Sequence, residues 1–251
     1  AATVNPKIFE LVFYLLFSVV SAAALMRWIR FPHAKLLPVV KGMEEMVGRC
    51  AELGRPMFCD PGRWAGMESD RSMAGFAGVS ILSYLGSLCA RDGVRLVVVT
   101  QNAAALPLIT DAIESRYLSY PETVKPEIRF LPGVDGNPYE STFLSMMERD
   151  RAAGLVSVGP TGTSVGLRVG GITRTDAMSV MGADRVDLCA FMAVCCDYIV
   201  VGEEIYALGA VLGGQEVMLN LIGAQDVFKA LCVALVILGI ILVNAGIPFK
   251  I

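Results

Sequence analysis

Glu203 and Glu204 stand side by side directly after a short apolar run, Tyr198–Val201, that reads as a buried strand. Open α/β sheets take ligands at the carboxyl ends of their strands. A carboxylate pair there can do acid–base chemistry or hold a hard cation. Neighbouring residues on a helix point about 100° apart, so one site rarely takes both, and Glu203 is the stronger candidate. The competing reading is that both acids complement the dipole of the helix they open. Asp60, Thr100, Gln101 and Asn102 fall at the ends of other expected strands, where they can line a polar pocket with Glu203.

A second candidate is Gly159-Pro160-Thr161-Gly162-Thr163-Ser164, between an expected strand and an expected helix. Backbone N–H groups at such a turn bind anions. A phosphate-binding loop of the Walker type ends in Gly-Lys-Ser/Thr, and no lysine is present. A strand-to-helix turn with a Thr or Ser cap explains the same residues, Thr161 and Thr163 among them. No Ser/His/Asp or Cys/His arrangement emerges, because the sole histidine, His33, lies beside an expected membrane anchor. Seven cysteines with no C-x-x-C spacing read as free thiols, so no metal site is expected and no cofactor is specified. Whether the chain is an enzyme stays open.

The elements that must position these residues follow from the apolar pattern. Charged residues make up only 18% of the 251 positions, against roughly 25% in soluble domains. The apolar excess sits at the two ends. Residues 8–29 and 230–249 are each long enough to cross a bilayer, which takes about 20 residues. Arg27, Trp28 and Arg30 form an aromatic and basic anchor after the first run, and Gln225, Asp226 and Lys229 mark the entrance to the second. Gln225 and Asp226 can cap the last helix or bond to a neighbouring one. Between the runs, residues 31–226 alternate short apolar strands with helical segments. The expected strands lie near 56–60, 95–100, 128–131, 154–158 and 198–201, with helix-like sequence around 176–181. The expected fold is therefore α/β, a Rossmann-like, mostly parallel sheet of about five strands covered by helices on both faces and flanked by two transmembrane helices.

Five basic residues near the apolar runs (Arg27, Arg30, Lys35, Lys41 and Lys229) face the central domain, against Lys7 and Lys250 at the ends. That bias expects a two-pass protein of the cell membrane with a cytoplasmic centre and both termini outside. The opening Ala1-Ala2-Thr3 fits either loss of an initiator methionine or cleavage after small residues. The net charge of −3 argues against nucleic acid as a partner.

Cys196-Asp197-Tyr198, Gly202-Glu203-Glu204, Gly209-Ala210 and Gln225-Asp226 before the last apolar run resemble a family of uncharacterised prokaryotic two-pass membrane proteins, a domain of unknown function. Ala51-Glu52-Leu53-Gly54-Arg55-Pro56 is similar too. The resemblance implies an α/β domain between two spans and brings no activity or catalytic residue. The expected function is that of a membrane-anchored structural or assembly protein, whose cytoplasmic domain forms homo-oligomers or docks on other membrane proteins in the lipid bilayer. Small residues recurring in both runs and along 76–90 motivate this reading. The alternative is a nucleotide- or metabolite-binding domain, possibly enzymatic, that uses the carboxyl edge of the sheet.

Overall fold

A computed structural model describes residues 6–26, 38–62, 71–131 and 136–244. In chain order the first elements are α1 (Pro6–Leu25), α2 (Pro38–Leu53), β1 (Met57–Asp60), α3 (Ser72–Asp92) and β2 (Leu96–Thr100). Next come α4 (Leu106–Tyr117), β3 (Glu127–Phe130), α5 (Asn137–Asp150), β4 (Gly154–Gly159) and α6 (Val165–Ile172). The last are β5 (Met178–Ala183), α7 (Val186–Cys195), β6 (Tyr198–Val201), α8 (Glu204–Leu212) and α9 (Glu216–Asn244). The chain divides into two compact units, Leu36–Gly214 and a second made of the two ends, Ala1–Lys35 with Gln215–Ile251. Residues 215–226 thus group with α9 rather than with the sheet.

In the first unit six strands form one sheet in the order β3-β2-β1-β4-β5-β6, and every pairing is parallel. Parallel neighbours need crossover connections, and a helix fills each one. Alternate strand residues serve opposite faces. Met57, Cys59, Leu96 and Val98 join a core with α2, α3, α4 and α8. Phe58, Val97, Val99 and Leu155 join the other core, with α5, α6 and α7. The connections change face where the strand order reverses, between β1 and β4.

The sheet has one more strand than expected. Residues 178–183 are β5, where the sequence around 176–181 reads as helix-like. Alanine and methionine favour helix in isolation, but pairing on both sides and the burial of Ser179–Ala183 override that weak preference. The absence of a side chain at Gly182 lets β5 and β6 close up, since a Cβ there would meet Val200 Cβ at 2.9 Å.

Among the described residues two helices are long and apolar enough to cross a membrane by length and composition, Ser72–Asp92 and Glu216–Ile241. They differ in what covers them: the apolar window is 67% buried in the first and 12% in the second. The first is α3, the central core helix of the sheet unit. Its small residues let neighbours approach. A Cβ on Gly78 would lie 2.6 Å from Val158 O, and one on Gly209 of α8 would lie 2.8 Å from Ala77 Cα. The small-residue stretch 76–90, expected to join subunits, thus works inside the domain.

In the second unit α1 and α9 run antiparallel. Phe228 packs edge-on against Phe13 and Phe17, at 6.3 and 4.8 Å between ring centres. Farther along, Asn220 Nδ2 donates to Ala24 O at 2.7 Å, which satisfies one of the carbonyls orphaned at the end of α1. Twenty residues of helix rise about 30 Å, the thickness of a bilayer core. Leu11, Tyr14, Leu15 and Val19 of α1, and Val233, Val236 and Ile240 of α9, are exposed. Residues 27–29 of the first expected span and 245–249 of the second lie outside the described residues.

An ionic network fastens the edge strand β3. Arg95 Nη2 and Arg129 Nε donate to Glu127 at 2.6 and 2.7 Å, and Arg129 Nη2 donates to Asp150 Oδ2 at 2.6 Å. Hydrogen bonds from Arg129 and Arg95 hold the Glu127 carboxyl below its usual range. A carboxylate with a depressed folded pKa contributes stability above its unfolded pKa and loses it as pH falls through the folded value. Glu127→Gln should therefore flatten the fall in urea midpoint between about pH 6 and pH 3. Parallel acid dependences in the variant and the parent would contradict this role.

Candidate functional site

The reversal of strand order between β1 and β4 is where an open α/β sheet leaves a crevice. Here the crevice is filled from below by a buried ionic lock. Asp60 ends β1, Ser157 faces it in register on β4, Glu140 comes from α5 and Arg168 from α6. Arg168 Nη1 donates to Asp60 Oδ2 at 2.5 Å and to Ser157 Oγ at 2.7 Å, and its Nε donates to Glu140 Oε2 at 2.7 Å. The guanidinium lies 4.1 Å from the Phe143 ring centre and 5.6 Å from that of Tyr139. Arg168, Asp60 and Glu140 are each at most 1% exposed. Burial alone would lower the Arg168 pKa, but the Asp60 and Glu140 carboxylates outweigh it and raise it. Burial, followed by the Asp60 charge, drives the Tyr139 phenol up.

Asp60 has no oxygen to spare. Its Oδ1 accepts the Gly62 N–H at 2.9 Å and so shapes the turn that leaves β1. That turn packs directly on the one leaving β4. A Cβ on Gly62 would lie 2.6 Å from Pro160, and one on Gly159 would lie 2.2 Å from Pro61 O.

A second pair fastens the same loop from the far side. Arg71, just before α3, grips Asp184, just after β5, with Nε to Oδ2 at 2.5 Å and Nη2 to Oδ1. Arg71 Nη2 also donates to Thr161 O at 2.6 Å, and Thr161 N donates to Asp184 Oδ1 at 3.4 Å. Thr161 is buried, and its Oγ1 has no hydrogen-bond partner among the described residues.

Over residues 3–250 the chain matches the family described as a domain of unknown function, DUF6754. The chain belongs to the DUF6754 family. The match runs through α1 and α9 as well as the sheet unit. No curated protein and no solved structure matches the chain.

The DUF6754 fold scatters most of the residues that the sequence singled out. Thr100 Oγ1 accepts the Asn102 N–H at 3.3 Å. Asn102 Oδ1 accepts the N–H groups of Ala104 and Ala105 at 2.8 and 3.2 Å, so it caps the approach to α4. Thr163 is exposed, and its carbonyl accepts from Gly166 at the start of α6. Glu203 and Glu204 are exposed after β6, and Glu204 Oε2 folds back to accept the Val201 N–H at 3.0 Å. Three strand intervals, about 14 Å, separate β6 from β1, so these acids share no pocket with Asp60. Gln225 and Asp226 lie within α9 rather than at its start, and Asp226 pairs with Lys229 at 3.3 Å. Arg27, Trp28 and Arg30 lie outside the described residues.

Arg168, Glu140, Ser157, Arg71 and Asp184 belong to no sequence motif. One signal was available: Arg168 is the lone charge in the apolar helix VGLRVGGI, and a charge in such a face needs a buried partner. Three of the cysteines are held as thiols. Burial raises the Cys59 thiol, pushes Cys50 up to about 12 and Cys196 up to about 11, so all three stay protonated at neutral pH. Locked and charge-paired, the described residues of this edge position backbone.

Proposed function

We propose that this DUF6754 chain is a membrane-anchored assembly protein whose sheet unit binds a second copy of itself through α7 and β6. The carrying observation is α7. Its sequence, VDLCAFMAVC, is apolar nearly all round, a pattern that belongs to a fully buried helix. Yet Val186, Phe191 and Val194 are 66, 64 and 85% exposed. Beside α7 runs β6, the last strand in the sheet order, whose outer edge pairs with no strand among the described residues, although Glu204 Oε2 takes the Val201 N–H there. An apolar helix next to an open strand edge is self-complementary under a two-fold axis, and Ala190 and Ala193 on the same face allow close approach.

The patch is smaller than the roughly 800 Å² per partner of a free-standing complex. Confinement by α1 and α9 in the bilayer compensates, because tethering raises effective concentration without new contacts. In this reading both helices span the membrane, and the basic residues flanking them favour a cytoplasmic sheet unit. The strand order supports a Rossmann-like, doubly wound reading, in which ligands sit at the reversal. Here Pro61, Gly159 and the Arg168 lock occupy that position, which favours assembly over ligand binding.

Native mass measurement of the full chain in mild detergent tests the proposal. The parent should run as a dimer or larger, and Phe191→Ser with Val194→Asp should shift it to monomer, at least tenfold weaker in self-association. Both positions are on the surface, so thermal stability should change by no more than about 0.5 kcal/mol per site. A monomeric parent, or a variant that associates as the parent does, would sink the reading.

A further inference from the structure

At the amino edge of the sheet, opposite the ionic lock, lies a cavity of about 300 Å³. Its walls come from three connections: Arg55 between α2 and β1, Glu148 and Arg151 at the end of α5, and Arg174 and Asp176 between α6 and β5. Three arginines, Arg55 half-buried and Arg151 and Arg174 exposed, therefore line one concavity together with two acids. Among the described residues none of the three forms an ion pair or a side-chain hydrogen bond, although acids share the cavity. A fourth arginine, Arg49, reaches the rim, with Nη2 donating to Asp176 O at 3.3 Å. Arg71, Arg95, Arg129 and Arg168 of the same unit are tied to carboxylates, and Arg116 to the Ser83 hydroxyl.

The backbone at Arg151 supplies an independent observation. α5 ends on Arg151 at φ 51°, the one left-handed non-glycine among the described residues. Its N–H closes the helix on Glu148 O at 3.2 Å. Glycine normally takes this position, and at the same edge α2 and α3 end on Gly54 and Gly93 at φ 61° and 69°. A side chain in that conformation is strained against its own backbone. The chain bears this strain at a residue whose guanidinium has no partner among the described residues.

We propose that this cavity is an anion site, in which Arg55, Arg151 and Arg174 bind the phosphate group of a small molecule or a lipid headgroup. Guanidinium forks suit phosphate oxygens, and a charge-assisted contact of this kind is the strong form of hydrogen bond. The proposal does not depend on self-association through α7.

Calorimetric titration of the full chain in detergent with inorganic pyrophosphate at low ionic strength tests it. The parent should bind, and binding should weaken as salt rises. Arg151→Gly keeps the left-handed turn and removes the charge. It should bind at least tenfold more weakly, with a melting temperature equal to or above the parent's. Arg174→Gln should weaken binding similarly. Repeating the titration in discs of phosphatidylglycerol and of phosphatidylcholine separates the sources. Lower pyrophosphate affinity in the anionic discs identifies the headgroup as occupant, and equal affinity identifies a soluble phosphate compound. A parent that binds no pyrophosphate up to about 10 mM, or an Arg151→Gly chain that binds as the parent does, would overturn the proposal.

Discussion

Arg168→Ala is expected to remove about 3–5 kcal/mol from the stability of the sheet unit, the cost of breaking a buried charge pair from one side. The substitution leaves Asp60 and Glu140 buried at the meeting of β1, α5 and α6 without their shared cation, and takes from Ser157 the N–H that reaches its oxygen. It also opens space beside Phe143 and Tyr139. Domains are stable by only about 5–15 kcal/mol, so the loss should bring the urea midpoint down sharply. Arg168→Lys should rescue little, because one ammonium cannot reproduce a planar fork that contacts three groups at fixed angles. Arg168→Met combined with Asp60→Asn and Glu140→Gln should recover part of the loss, since an uncharged set carries no unpaired ion. If Arg168→Ala unfolds at the parent's urea concentration, the lock contributes nothing to stability.

Gly159→Ala should be nearly as damaging for a different reason. Gly159 has φ 153°, and its added Cβ would lie 2.2 Å from Pro61 O and 2.8 Å from Pro61 C. Both obstacles are backbone, so no side chain can swing away. The ends of β1 and β4 must separate, and that disturbs the turn which Asp60 holds through Gly62. Strain of this kind costs about 3 kcal/mol or more, which for a unit of this size lowers the melting temperature by roughly 6 °C or more. Gly166→Ala is the matched control. Gly166 is in α6 with nothing within 4 Å of its ideal Cβ, so the same added methyl should leave stability unchanged or raise it by about 0.5–1 kcal/mol. Equal melting temperatures for the two variants would show that the contact between turns is not tight.

The contrast between β6 and β5 shows what the sequence made legible. Tyr198–Val201 is a β-branched run bounded by Asp197 and Gly202, and its strand character is local. Met178–Ala183 is built from residues that suit a helix, and becomes a strand only because β4 and β6 lie on either side of it. The candidate site divides in the same way. Asp60 is recognisable as a polar residue at a strand end, but its partner Arg168 lies 108 positions later and no spacing rule joins them. Asn102 and Glu204 looked like site residues because the groups that cap turns are the same groups that bind ligands. The membrane-entrance residues Gln225 and Asp226 were read from composition, while helix α9 begins nine residues before Gln225, at Glu216.

The span of the lock also bears on how the chain matures during synthesis. β1 sits between β2 and β4, so a nascent chain that has emerged only through β3 has one flank of its central strand unpaired. Asp60 and Glu140 cannot enter the interior until α6 delivers the balancing cation. The first half of the sheet therefore has no stopping point of its own, and maturation waits on distant pairings that are slow to form. Until Arg168 arrives, the incomplete sheet is a natural client for chaperones.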